Sequence, residues 1–276
     1  MRFTAALIMT AALASAEYAD LNGTRVYYEA AGSGTTNVVF IHGWTCDSSF
    51  WRFQKPEFAK HFRVVAVDLP GHGKSDKPET TYDLKLFARG VLAVMDAAKM
   101  NRAVLAGHSM GSGVIRQIAA DAPGRIAAIV TVDGSVLRNP PEATVTKVKS
   151  WAATMRGTGG MEVRRNFIES MFASTTPPDV RKQILDGMLA APEHVAASAM
   201  ENAIASPIWN STDQVTIPTL AINQKRGDGR ARTVHNEVFS KLEYIEMEGV
   251  SHFLHMEKPD EFNRIVMDFI RKTAAR

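Results

Sequence analysis

The stretch Ala103-Val-Leu-Ala-Gly-His-Ser-Met-Gly-Ser-Gly113 decides how the rest of the chain is read. Ala103 to Ala106 are apolar or small and read as a short buried strand. Gly107-His108-Ser109-Met110-Gly111 matches G-x-S-x-G, and Val114 to Ala122 has helical composition. Strand, sharp turn and helix in that order lift a serine hydroxyl to the tip of a strained backbone. Any side chain at 107 or 111 would collide with the neighbouring strand or helix, so both positions need glycine. The helix that starts at the serine directs the positive end of its dipole at the hydroxyl. The plain alternative is a tight strand-to-helix turn whose serine only caps the helix.

The chain around it has 276 residues, 45% apolar and 22% charged, which fits one large domain or a domain with an insertion. Lys and Arg number 32 against 29 Asp and Glu, a net charge of +3. That excess is slight and unclustered, with no zinc-spaced Cys/His set and no basic helix, so nucleic acid is not an expected partner. Met1-Arg2, the apolar run Phe3 to Leu13 and the A-x-A site Ala14-Ser15-Ala16 read as a secretory signal peptide over residues 1–16. The expected location is therefore exported, periplasmic or secreted, with Glu17 first in the mature chain. An alanine-rich first helix is the plain alternative. No later stretch is long enough to span a membrane. The single cysteine, Cys46, excludes an intrachain disulfide.

Taken in order, Asn22-Gly23 between two alternating runs signals a hairpin with a type I′ turn. Asn37 to Ile41 is a continuous apolar run, hence a strand buried on both faces, and it ends in His42-Gly43-Trp44. Phe50 to Lys60 reads as a helix interrupted early by Pro56. Arg63 to Val67 is the next strand, followed by Asp68-Leu-Pro-Gly-His-Gly-Lys-Ser75, a glycine-rich loop without phosphate-loop spacing and so a structural turn. Tyr82 to Lys99 is helical, with Leu84, Phe87, Val91, Val94 and Met95 on one face. Ile126 to Val132 is a buried strand ending at Asp133-Gly134. From Leu137 to Gln214 strand runs give way to helical segments carrying Trp151, Met155, Met161, Phe167, Met171, Phe172, Met188, Met200 and Trp209. Strands resume at Ile217 to Ile222 and Leu242 to Met247. Gly249 to His252 is a turn, and Pro259 to Thr273 a closing helix.

Strands alternating with helices predict an α/β fold, a mostly parallel sheet with helices on both faces. The core covers residues 17–136 and 215–276, and residues 137–214 form a helical cap. Ligands of such sheets bind at the carboxyl ends of the strands. His42, Asp68, Ser109, Asp133, the loop after Ile222 and His252 all fall at such ends. A serine needs a base, and a basic histidine needs a carboxylate on its other nitrogen. Among eight histidines, His252 lies after the last strand, where the chain returns over the sheet towards Ser109. His255 is read as facing the helix and His42 as structural. Cys46 is read as a small buried hydrophobe.

Phe40-Ile-His-Gly-Trp44, Asp68-Leu-Pro-Gly-His-Gly-Lys-Ser75, Gly107-His-Ser-Met-Gly111 and Gly249-Val-Ser-His-Phe253 together resemble the α/β-hydrolase superfamily, in its esterase, lipase and C–C-hydrolase branch. The resemblance implies the order serine, acid, histidine. Most relatives place the acid after the strand that ends here near Ile222, where this chain has Asn223-Gln-Lys-Arg-Gly-Asp228 without the usual glycine-then-acid pattern. Others place it at the end of the preceding core strand, which is Asp133. An unpaired carboxylate closing a buried run is costly, and a histidine partner would explain it, so Asp133 is favoured over Asp228. The resemblance also implies an oxyanion hole from the backbone N–H groups of Trp44 and Met110. A serine at 109 excludes the dehalogenases and epoxide hydrolases of this fold, which carry aspartate there.

The expected activity is that of a carboxylic ester hydrolase acting on small to medium apolar esters under an apolar cap. Alternatives are a lactonase, C–C-bond hydrolase or perhydrolase with the same triad, and a receptor-like binding module with slow turnover. No motif implies a metal or organic cofactor. Lys225, Arg226, Arg230 and Arg232 read first as a solvated loop, with recognition of an anionic substrate group as the sharper alternative. The sequence leaves the oligomeric state open.

Overall fold

A computed structural model describes residues 15–134, 136, 141–204, 214–227 and 229–274. Residues 1–14 of the expected signal peptide, Leu137 at the expected start of the cap, Trp209 and Asp228 lie outside the described residues.

Eight strands form one sheet in the order β1-β2-β4-β3-β5-β6-β7-β8. They are β1 Ser15–Leu21, β2 Thr24–Ala31, β3 Asn37–Ile41, β4 Arg63–Val67, β5 Ala103–His108, β6 Ile126–Val132, β7 Thr219–Gln224 and β8 Leu242–Met247. β1 and β2 are antiparallel, β2 runs antiparallel to β4, and β3 to β8 are parallel. The hairpin turn follows from its two residues. Asn22 and Gly23 sit at φ 53° and 88°, as a type I′ turn demands at both centres.

The helices are α1 Lys55–Ala59, α2 Leu84–Ala97, α3 Met110–Asp121, α4 Glu142–Met155, α5 Gly160–Glu169, α6 Pro178–Leu189, α7 Glu193–Ala199, α8 Arg230–Val238, α9 Leu254–Glu257 and α10 Pro259–Ala274. The central strands read as unbroken apolar runs because both their faces are covered. Along β3, Val38 and Phe40 join Phe58 of α1 and Phe262, Val266 and Phe269 of α10 in one core. Val39 and Ile41 point the other way, into a core with Phe87 and Val91 of α2 and Ile115 and Ile118 of α3. The five apolar residues expected on one face of α2 are all buried, and the Asp83 side chain caps that helix by accepting from the Leu86 N–H at 2.7 Å.

One expectation needs correction. Pro56 does not interrupt a helix from Phe50. A separate 3₁₀ turn covers Ser48–Trp51, and Pro56 opens α1, where its missing N–H is harmless. The helix after the elbow starts at Met110, directly after the serine as expected, and the small residues Gly111, Ser112 and Gly113 let its first turn lie against the sheet.

The helices α4 to α7 lie between β6 and β7. Their buried residues, among them Val148, Met155, Ile168, Ile184 and Val195, belong to the same apolar cluster as Trp44, Phe50 and Phe253 at the strand ends. Arg164 is buried in that segment and donates to the Met188 carbonyl at 2.8 Å, tying α5 to α6. Among the described residues no helix is long and apolar enough to cross a membrane.

Candidate active site

Ser109 stands between β5 and α3 at φ 52°, ψ −116°, a region that side chains rarely occupy. Its N–H donates to the Val132 carbonyl at 2.9 Å, holding the turn against the end of β6. A Cβ on Gly107 would lie 2.5 Å from the backbone of Gly111, and one on Gly111 would lie 2.5 Å from the Ile41 carbonyl oxygen. The two glycines therefore let strand, turn and helix close on one another, as the motif implies.

Asp133 follows β6, and its side chain is 0% exposed. His252 follows β8. Its Nδ1 meets Asp133 Oδ2 at 2.6 Å. Arg226 Nη2 donates to the same oxygen at 2.8 Å, and Gln224 donates its Nε2–H at 3.0 Å and its backbone N–H to Oδ1 at 3.1 Å. Burial pushes the Asp133 carboxyl upwards, but the His252, Arg226 and Gln224 bonds outweigh it and leave the group below the usual carboxylate range. The carboxylate is thus ionised at neutral pH, accepts from Nδ1–H, and leaves Nε2 of His252 as the basic nitrogen.

The His252 main chain is also held. Its carbonyl accepts from His108 Nε2 at 2.9 Å, and its N–H reaches the Met171 carbonyl at 3.4 Å. Ser109 and His252 both line a cavity of about 490 Å³, together with Trp44, Cys46, Phe167, Met171, Phe172, Met188 and Phe253. Both also line a second cavity of about 460 Å³ with Asp133 and Arg226.

Trp44 is buried, its ring edge-on to Phe167, and its Nε1–H donates to the Ala196 carbonyl of α7 at 2.8 Å. Met110 is the first residue of α3, where a backbone N–H has no partner within the helix. His42 is a staple: Nδ1 meets the Gly43 carbonyl at 2.7 Å and Nε2 accepts from the Leu69 N–H at 3.0 Å. Burial lowers its pKa, which suits that neutral tautomer. Asp68 is structural too, accepting from the backbone N–H groups of Ser48 and Lys74, each at 2.7 Å. Cys46 is buried, and burial raises its thiol well above the ordinary value, so it is no thiolate. His255 packs against Trp51 and His108 with ring centroids 4.6 and 4.7 Å away, and burial lowers its pKa to about 3.

The basic loop divides. Lys225 pairs with Glu248 at 2.5 Å, and the Arg232 guanidinium lies 4.7 Å from the Tyr244 ring centre. Arg230 lines the second cavity. Sequence reasoning missed Arg226 and Gln224 as partners of Asp133. Their signal was the parallel register, which sets Ile222 beside Val132 and so brings the next residues of β7 to the end of β6.

Residues 38–265 match the model of the alpha/beta hydrolase family. The dihydrolipoyllysine-residue acetyltransferase component of an acetoin cleaving system from Cupriavidus necator is 40% identical over 121 residues, 44% of this chain and 32% of that one. The chain spans roughly one third to two thirds of the length of such curated relatives. A thermophilic esterase from Thermogutta terrifontis shares the fold at a TM-score of 0.82 and 22% identity, over 95% of this chain and 99% of the other. An enol-lactonase from Burkholderia xenovorans does so at 0.81 and 26%, over 92% of this chain and all (100%) of its own. With the sheet order, the glycine-walled serine turn and a family match that runs from the third strand into the last helix, the chain belongs to the alpha/beta hydrolase family.

Proposed function

We infer that this protein is a serine hydrolase that cleaves carboxylic esters of small to medium apolar substrates. The observation that carries the reading is the 2.6 Å bond from His252 to the buried Asp133, in a cavity that His252 shares with the strained Ser109. Ser109 is the nucleophile. Its Oγ attacks the ester carbonyl while its proton passes to Nε2 of His252, and Asp133 orients the imidazole and stabilises its charged form. The N–H groups of Trp44 and Met110 hold the oxygen that becomes negative. Collapse of the tetrahedral intermediate expels the alcohol, which takes the proton from His252. Water then attacks the acyl-serine by the same route, and the acid leaves.

The helices α4 to α7 serve as a cap, with Phe167, Met171, Phe172 and Met188 as the apolar wall for the substrate. The likeness to an enol-lactonase over nearly the whole chain favours lactone opening as a second reading. A lactone is an internal ester, and the same attack opens it. The amino-terminal residues support export after cleavage behind Ala16, checked by sequencing the amino terminus of exported material; an intact Met1 there refutes it.

The test is covalent labelling. A fluorophosphonate should label the wild type at Ser109, and Ser109→Ala should lose both the label and ester turnover. A panel of 4-nitrophenyl esters from acetate to octanoate, with simple lactones beside it, then separates the two readings. Folded protein that takes no label would sink the hydrolase assignment in favour of a binding role.

A further inference from the structure

The serine and histidine of the site face two cavities of different chemistry. The first is walled by Trp44, Phe167, Met171, Phe172, Met188 and Phe253. The second lies on the side of Asp133 and is lined by Asn223, Arg226, Arg230, Ala231, Val234 and His235. Arg226 belongs to both, and its side chain is 52% exposed although one of its N–H groups is bound to Asp133.

Three features make the second cavity a place for an anion. Asn223 is 3% exposed and lines it, and Asn223 Nδ2 has no hydrogen-bond partner among the described residues. A buried amide donor without a partner is unfavourable, so a ligand acceptor that reaches it is stabilising. The first turn of α8, Arg230 and Ala231, lines the same cavity and brings the positive end of a nine-residue helix to it. The guanidinium of Arg226 adds planar donors that match a carboxylate. The competing groups are already committed. The Asp133 side chain is 0% exposed and occupied by His252, Arg226 and Gln224, and His235 is bound through Nδ1 to the Ala231 carbonyl at 2.7 Å and through Nε2 to Thr131 Oγ1 at 3.3 Å.

On the serine-hydrolase reading above, we propose that the substrate is an ester or lactone of two unlike halves, an apolar group in the first cavity and a carboxylate in the second, held by Asn223, Arg226 and the start of α8. The scissile carbonyl then sits between the two halves, beside Ser109. An uncharged ester fills the first cavity and leaves the Asn223 amide unsatisfied.

Matched probes test this. Mono-4-nitrophenyl adipate is compared with 4-nitrophenyl hexanoate, which puts the charge on the acyl side. Hexanoate esters of 4-hydroxybenzoate and of phenol put it on the leaving group. Each kcat/KM is normalised to the hydroxide rate of its own ester. In at least one pair the charged probe should be favoured about tenfold at low salt, the order that one hydrogen bond to a charged group contributes net of its desolvation. Salt should erode that preference, because Arg226 is half exposed. Asn223→Leu should bring it close to one and Asn223→Asp below one, with fluorophosphonate labelling reporting that the variants are folded. The proposal is overturned if the neutral probes are hydrolysed at least as well as the charged ones in both pairs, or if the preference survives unchanged in both variants. If no probe turns over and no label is taken, the hydrolase reading itself has failed, and this one falls with it.

Discussion

Asp133 stays ionised in a place where burial opposes charge, because His252, Arg226 and Gln224 all direct donors at it. Asn at this position can turn its Nδ2–H towards Nδ1 of His252, which then accepts, so it favours the wrong tautomer of the ring. Asp133→Asn should therefore lower kcat about 10⁴-fold, the loss expected when the orienting carboxylate of a triad becomes an amide. Asp228→Asn should leave kcat near that of the wild type. Steady-state kinetics on both variants checks this, and the opposite pattern would transfer the orienting role to Asp228. At this scale the sequence was legible where chemistry sits in a motif. Ser109 stands in G-x-S-x-G, His252 after the last strand, and Asp133 at the end of a run too apolar to hold an unpaired charge. Arg226 was not legible. Its neighbours Lys225 and Arg232 are as basic, and only the geometry of the loop sends one guanidinium inwards to Asp133 and the others to Glu248 and Tyr244.

At the scale of the element, the serine turn is a three-way contact of β3, β5 and α3. Gly111→Ala forces a Cβ to within 2.5 Å of the Ile41 carbonyl oxygen, and neither backbone can yield without opening the sheet. The expected destabilisation is about 1–3 kcal/mol, the range for overpacking a close contact. That corresponds to a fall of roughly 2–10 °C in Tm for a domain of this size, read from thermal unfolding by circular dichroism. An unchanged Tm would mean that the elbow is looser than its geometry. Strands were legible as elements because β3 to β6 are buried on both faces and show it as apolar runs. Helix starts were less so. Phe50 to Lys60 reads as one helix, but the chain forms a 3₁₀ turn over Ser48–Trp51 and begins α1 only at Lys55.

Across the whole molecule, five buried histidines set a common dependence on acid. Burial lowers the pKa of His42, His108, His235, His72 and His255, the last two to about 3. In the unfolded chain each titrates near the ordinary value of about 6.5, so between the two values the unfolded state binds more protons. Stability is complete above about pH 6.5 and is lost as pH falls towards 3, at up to about 1.4 kcal/mol per pH unit for each histidine. Asp133 has a depressed pKa, so its contribution holds above the ordinary carboxylate value and goes only in stronger acid. Tm measured from pH 7.5 down to 4.5 should fall continuously from about 6.5; a flat profile would show that these rings stay solvated. None of this was legible in the sequence, where a histidine in a turn and one wedged between aromatic rings look alike. The topology was legible from the order of the runs. A helical cap over residues 137–214 was expected from the same order; which of its apolar residues join Trp44, Phe50 and Phe253 in one cluster was not legible, since they would suit an independent bundle equally well. Besides the His252–Met171 contact, a side-chain tether joins the two layers beside Ser109. The Trp44 indole holds the Ala196 carbonyl of α7, and the residue that carries this indole is the one whose amide is assigned to the nascent oxyanion. On the proposed reading, an outward movement of α7 that admitted a substrate would pull on that amide, so opening the cap would also weaken the support for the oxyanion, and water arriving then would meet a less reactive site.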